Sequence, residues 1–170
     1  MKPTAPAKTN AARLLDSLNL HYELRAYEVD PEDLTAISVA RKINLPPEQV
    51  FKTLLTQTNE GTHLFAVIPG DAELDLKKLA KTAGVKKTEL ASLKEVEPLT
   101  GYIRGGVTVM GARKPFPAFA DETIELFDII SVSAGLRGLQ LILSPADYLR
   151  ATEATLADLT KALTRDVVME

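Results

Sequence analysis

Apolar positions recur along this chain with two periods, one helical and one strand-like, and their alternation sets out its elements. Ala11, Leu14, Leu15 and Leu18 fall at helical spacing behind Thr9 or Asn10, either of which can cap a first helix. Tyr22, Leu24 and Ala26 then alternate with Glu23 and Arg25, predicting a strand that ends near Tyr27 and is broken by Asp30-Pro31. Residues 34–43 predict a second helix on Leu34, Ile37, Val39, Ala40 and Ile43, closed by Asn44 and Pro46-Pro47. The segments 49–57 and 62–70 flank the turn Thr58-Asn59-Glu60-Gly61 and predict a β-hairpin. A helix over 75–83 ends at Gly84, and a short helix is expected within 87–96. Two more strands, 128–135 and 138–145, meet through glycines, and a final helix is expected over Thr155–Leu163. Helices interspersed with hairpin-joined strands predict an α/β class with a mixed sheet.

Length and composition narrow the picture. At 170 residues the chain reads as one domain behind a loose tail, residues 1–8. The absence of cysteine excludes disulfides, thiol nucleophiles and thiolate metal sites, and fits a reducing compartment. The start carries prolines and polar residues instead of an apolar secretory segment, and no eighteen-residue apolar run offers a membrane span. The cytoplasm is the expected location. A formal net charge of −3 argues against a protein that grips DNA through many phosphates, so any nucleic-acid contact is expected to be local.

Candidate chemistry concentrates in Gly101-Tyr-Ile-Arg-Gly-Gly-Val-Thr-Val-Met-Gly-Ala-Arg-Lys114, which holds four of the nine glycines. Gly106 and Gly111 have the gap of a phosphate-binding loop, but Ala112-Arg113-Lys114 follows where Lys and a hydroxyl residue are required, and no Gly-x-Gly-x-x-Gly occurs. Both nucleotide motifs therefore fail, which weakens a nucleotide-hydrolase reading. What remains is a wall at Gly105 and Gly106 offering backbone N–H groups to an anion or a developing oxyanion. The two histidines, His21 and His63, stand at a junction and after a turn, where solvated side chains are expected, so neither a catalytic triad nor a zinc site is predicted. Lys52 lies in a strand apolar on both faces, which points it into an enclosed space; a solubilising lysine on an edge strand is the equally balanced alternative. Ser133 opens Ser-Ala-Gly-Leu-Arg-Gly, with Arg137 as a cation suited to phosphate, although turn chemistry alone explains the same pattern. Arg113 and Lys114 form the basic end of the glycine stretch and, with Lys86 and Lys87, read on their own as a solvated surface.

Five segments in order resemble the YbaK family, within the superfamily of free-standing and inserted editing domains related to prolyl-tRNA synthetase. They are Tyr27-Glu28, Val-Phe-Lys-Thr-Leu-Leu at 50–55, Leu-Asp-Leu-Lys-Lys-Leu-Ala-Lys-Thr-Ala-Gly-Val-Lys-Lys at 74–87, Gly-Tyr-Ile-Arg-Gly-Gly at 101–106, and Ser-Ala-Gly-Leu-Arg-Gly at 133–138. The resemblance implies a partly barrel-like mixed sheet with helices outside, extending over 9–170. It implies hydrolysis of the ester joining a wrong amino acid to its tRNA, typically cysteine on proline tRNA, without metal or other cofactor. Lys52 and Gly105 would carry the chemistry; Tyr27, Gly106, Ser133 and Arg137 would bind substrate; Arg113 and Lys114 would be candidate tRNA contacts; a synthetase–tRNA complex would present it. The chain departs from the family pattern at Val109, where a proline is common, and at Gln140, where an aspartate is common. Those departures motivate a second reading, a non-catalytic module for aminoacyl-adenosine or a partner protein.

Overall fold

The hairpin around Asn59 is the centre of the structure. In a computed structural model, which describes residues 8–162, β2 (Phe51–Thr58) and β3 (His63–Pro69) pair antiparallel, with Gln57 opposite His63. The Thr58 N–H closes the turn onto the Thr62 carbonyl at 2.8 Å. Around this pair grows a five-stranded mixed sheet. The short strand β4 (Thr88–Leu90) runs antiparallel to β2, while β5 (Ala118–Asp121) and β8 (Thr155–Ala157) extend the sheet in parallel from β3. A second, antiparallel sheet orders β1 (Glu23–Ala26), β7 (Leu139–Leu143) and β6 (Ile130–Leu136). The two sheets touch through one parallel bridge, Val50 to Ser131. The class is mixed α/β as expected, but the sheets do not close into a barrel.

Among the described residues five helices cover the sheets, and four of them are started by a capping side chain. Thr9 caps α1 (Asn10–Ser17), Thr35 caps α2 (Ala36–Ile43), and Asp75 caps α3 (Leu76–Ala83) by accepting from the first free N–H groups. Ser92 precedes α4 (Leu93–Thr100), and Ser144 caps α5 (Pro145–Thr152) with proline in the first turn. Helix α1 buries Ala11 and Leu15 against Val132, Ala134 and Leu141; α3 buries Leu79 against Ala66 and Ile68; α2 sets Val39, Ala40 and Ile43 on Val50 and Ile142. Each fully buried leucine contributes about 2 kcal/mol of transfer free energy.

Three expectations are corrected. The segment from Thr155 is a strand instead of a helix: it pairs with β5, and Leu74 bridges Thr160. Its backbone hydrogen bonds go sideways, the Leu159 N–H to Asp121 Oδ1 at 2.9 Å and the Leu159 carbonyl to the Asp75 N–H at 2.8 Å. Leu159 is thereby carried, fully buried, into the cluster beneath α3, a tertiary gain that overrides helical spacing. The helix expected in 87–96 begins only at Leu93, because β2 claims Thr88–Leu90. Helix α5, β5 and a 3₁₀ turn at Glu122–Leu126 have no counterpart in the elements that periodicity predicts. Residues 1–7 of the expected tail, and the chain after 162, lie outside the described residues.

The glycine-rich segment leaves α4 and is anchored by one buried side chain. Tyr102 donates from its hydroxyl to the Met110 carbonyl at 2.7 Å, clamping the two ends of the loop together. Its ring lies so close to Gly135 that an added Cβ there would meet it at 2.8 Å. Burial raises the Tyr102 hydroxyl's pKa to about 12, so it stays a donor at neutral pH. Replacing Tyr102 by Phe keeps the ring and orphans a buried carbonyl; we expect a loss of about 1–2 kcal/mol in urea unfolding. Unchanged stability would contradict the clamp.

Candidate active site

Strand β2 is covered unevenly on the side away from β3, and a cavity opens there. Strand β4 reaches only Thr56–Thr58, and the contact with the second sheet is made at Val50, so residues 51–55 have no strand beside them. The resulting cavity of about 520 Å³ lies between β2, the start of α2, the β4–α4 corner, the glycine loop and the β6–β7 pair. That volume suits a small organic ligand. Its walls are mainly aliphatic, and Ile37, Leu90 and Leu93 stand exposed among its lining.

Three of the predicted residues meet in this cavity: Lys52, Gly105 and Ser133, from three separate segments. Lys52 is half-buried and donates from Nζ to the Gly70 carbonyl at 3.3 Å. Desolvation lowers its pKa below the usual 10.5, while the nearby Asp71 and Glu73 pull the other way. Both expectations for this lysine are thus partly met: it stands on an uncovered strand edge, and that edge borders an enclosed space. Ser133 Oγ accepts from the Gly135 N–H at 3.1 Å. Gln140 pairs with Ser133 across β6 and β7, lines the same wall, and accepts at Oε1 from the Ser131 hydroxyl at 2.7 Å. An aspartate at this place would add a buried negative charge; glutamine leaves the wall neutral.

Gly105 needs its missing side chain. It has φ +89°, and a Cβ would sit 3.3 Å from Arg137 Cγ and Nε. Gly106 is held for a different reason, close approach: a Cβ there would be 3.2 Å from the Leu136 carbonyl carbon and the Arg137 nitrogen. Its N–H is already donated to the Ile103 carbonyl at 2.8 Å, so the expected pair of free N–H groups reduces to Gly105 alone. Arg137 does not line the cavity. It is a brace, donating from Nε to the Arg104 carbonyl at 2.7 Å and lying along Gly105.

The remaining candidates stand apart from the cavity lining. Tyr27 packs on the α2 cluster with Val39, Ile43 and Ile142, and its N–H donates to the Gly138 carbonyl at 2.9 Å. Arg113 donates to the Pro98 carbonyl at 2.9 Å, tying the loop to the end of α4, and Lys114 is exposed beside it. His21 is exposed, but His63 is not the solvated residue expected: its side chain packs on Phe116 and approaches Glu95 at 3.3 Å. Neither histidine lines the cavity. Sequence reasoning overlooked Arg104, an exposed lining residue and the second cation of the cavity. Its position directly before the glycine pair was the available signal. Among the described residues, no group of three or more acidic or histidine side chains is placed to hold a metal ion.

This environment makes a checkable claim about Lys52. A lysine whose pKa is lowered in the fold releases its proton there before it does so in the unfolded chain. Stability therefore rises with pH between the folded value and 10.5. Titration of the Lys52 side chain by carbon-detected NMR is expected to give a midpoint below 10.5, and Lys52→Met is expected to abolish its share of the stability rise. A midpoint at or above 10.5 would mean that the ammonium is solvated or firmly paired.

A family model described as the aminoacyl-tRNA editing domain matches residues 30–151. An Enterococcus faecalis protein, provisionally named Cys-tRNA(Pro)/Cys-tRNA(Cys) deacylase EbsC, is 41% identical over 159 residues, 94% of this chain and 97% of that protein. The multifunctional Ser/Thr-tRNA deacylase ProXp-y of Escherichia coli K12 is 34% identical over 97 residues, 56% of this chain and 58% of its own length. A crystal structure provisionally described as a trans-editing enzyme for prolyl tRNA synthetase shares the fold, with a TM-score of 0.79 at 24% identity, over 94% of this chain and 100% of that one. The family match runs from just before α2 to the last turns of α5 and so includes every wall of the cavity. The chain belongs to the aminoacyl-tRNA editing domain family.

Proposed function

We propose that this protein is a trans-editing deacylase that hydrolyses the ester of a mischarged aminoacyl-tRNA, with Cys-tRNA(Pro) as its principal substrate. The observation that carries the reading is the convergence of Lys52, Gly105 and Ser133 on one cavity. The cysteine substrate is taken from the name of the Enterococcus faecalis relative, whose similarity extends over nearly the whole of both chains. The proposed setting is the cytoplasm, where a synthetase–tRNA complex presents the substrate.

The cavity's composition limits the chemistry. Its hydroxyls belong to Ser133 and to Thr35, which is engaged in capping α2 and donates to Asp33 Oδ1 at 2.6 Å; Thr53 Oγ1 is buried, and no histidine or carboxylate lines the cavity itself. Ser133 is accordingly a wall residue that orients substrate, and catalysis rests on placement and electrostatics. Lys52 supplies a cation to the ester or to the terminal phosphate. The Gly105 N–H, which makes no backbone hydrogen bond among the described residues, is a donor for the oxygen that gains charge. A water oxygen, or the substrate's own side chain, attacks the acyl carbon. Either way the bond to the terminal ribose oxygen breaks and that oxygen takes the attacking group's proton; with water the amino acid leaves as its carboxylate, and with the cysteine thiol as a cyclic thioester.

Gln140 favours one variation. With a neutral amide in place of a carboxylate, the wall holds no anion for a cationic group, so the preferred amino acid is small and uncharged in its side chain. The test is release of labelled amino acid from a panel of mischarged tRNAs, Cys-tRNA(Pro), Ser- and Thr-charged species included. We expect turnover of at least one member well above the spontaneous rate, greatest for the cysteine ester. Tight binding of a non-hydrolysable aminoacyl-adenosine without turnover of any ester would instead identify a binding module.

A further inference from the structure

Five consecutive residues of β2, Phe51 to Leu55, line the cavity. Side chains alternate along a strand, so a space beside one face meets every second residue. An unbroken run means that the backbone edge itself borders the space. Hydrogen-bond directions agree. The Leu55 carbonyl accepts from the Ala91 N–H at 3.0 Å, on the side away from β3. Phe65, opposite Leu55, directs its N–H away from β2, to the Pro117 carbonyl at 2.9 Å. Leu55 and Phe65 are therefore a pair that exchanges no hydrogen bonds, and in an antiparallel ladder such pairs recur at every second residue. Thr53 and Val67 are the next one. The Thr53 N–H and C=O consequently point at the uncovered edge, between the Ala91 contact and the Val50 bridge, and no hydrogen bond from elsewhere in the described residues takes either group.

The charges around this edge matter too. Lys52 and Arg104 are the ionised groups of the lining, and neither carries an acceptor. An aminoacyl ester brings an α-amino group, which needs an acceptor once it leaves water. A backbone carbonyl on an open strand edge meets that need without a carboxylate.

We propose that Thr53 is the residue on which the aminoacyl group docks. Its carbonyl accepts from the substrate's α-amino group, and its N–H donates to the substrate's acyl oxygen. One amino acid offers both groups on the same side, as a residue of a paired strand does, so the substrate adds to β2 as a strand one residue long. The N–H then faces the oxygen on which charge develops during attack. This inference rests on the deacylase reading and supplies its substrate-positioning element.

The backbone itself can be altered to test it. Replacing Thr53 by its α-hydroxy analogue keeps the side chain and exchanges the N–H for an ester oxygen. Pairing with β3 does not use that N–H, so thermal unfolding is expected to change little. We expect kcat/KM on the mischarged tRNA that the natural protein hydrolyses best to fall about 100-fold, the scale of one lost oxyanion donor. With the natural protein, the threonine-selective ¹⁵N signal of Thr53 should show slowed hydrogen exchange when 3′-cysteinylamino-3′-deoxyadenosine binds. The same ligand without its α-amine should bind about tenfold more weakly. Full activity of the backbone variant, or unprotected Thr53 exchange in the saturated complex, would overturn the docking assignment and leave the deacylase reading standing. If the natural protein hydrolyses no mischarged tRNA, both fall together. Should the backbone variant not fold, the exchange measurement decides.

Discussion

The uneven coverage of β2 is the constraint on which the rest of the structure depends. A central strand of a sheet normally pairs on both sides along its length, and an unpaired buried edge carries donors and acceptors that must be satisfied. Here β3 pairs with Phe51 to Gln57 on one side, while the other side is held only at its two ends, by the Val50 bridge and by β4. The gap between those contacts separates two sheets that would otherwise merge, and the cavity occupies it. Placing a site at a sheet's unfinished edge exposes strand backbone and a strand side chain, Lys52, to the same small volume. A fully paired β2 would bury the lysine against another strand and remove the space.

The glycine segment follows from that geometry. Its task is to close the cavity opposite β2 while pressing on the β6–β7 turn, where backbone meets backbone at Gly106 and a side-chain stem meets backbone at Gly105. Tyr102 and Arg137 fix it from inside and outside, through the Met110 and Arg104 carbonyls respectively. The loop can therefore present an N–H without a phosphate-loop motif. Two basic residues serve as braces: Arg113, within the segment, holds α4, and Arg137, from the β6–β7 turn, holds the loop. Charge in the cavity comes from Lys52 and Arg104 alone among its lining residues, so the electrostatics there are cationic, although the chain as a whole is acidic.

Local elements with strong periodicity were legible in the sequence: α1, α2, α3, the β2–β3 hairpin and the β6–β7 pair all follow from apolar spacing with capping or turn residues. What could not be read was decided by long-range pairing. Thr155–Ala157 becomes a strand because β5 offers an edge, and Thr88–Leu90 because β2 does; neither partner is visible from local spacing. The candidate site was legible to a similar depth. Lys52, Gly105 and Ser133 stood out by residue type in context, but Thr53 carries its interest in the backbone, which composition does not reveal. Arg104 stood in full view before two glycines, yet its exposure to the cavity depends on how Arg137 orients the loop. Tyr27 shows the converse: a residue matched by resemblance whose ring the fold uses to seat α2.

Catalysis by positioned charge, without a protein nucleophile, is the central claim. Single-turnover hydrolysis of mischarged tRNA by Lys52→Ala and Lys52→Arg, with circular dichroism as the check on folding, tests it most directly. The account predicts folded variants, a loss of about 100-fold or more in kcat/KM for alanine, and incomplete recovery for arginine, whose planar guanidinium does not reproduce a compact ammonium. Near-natural hydrolysis by a folded Lys52→Ala protein would contradict it.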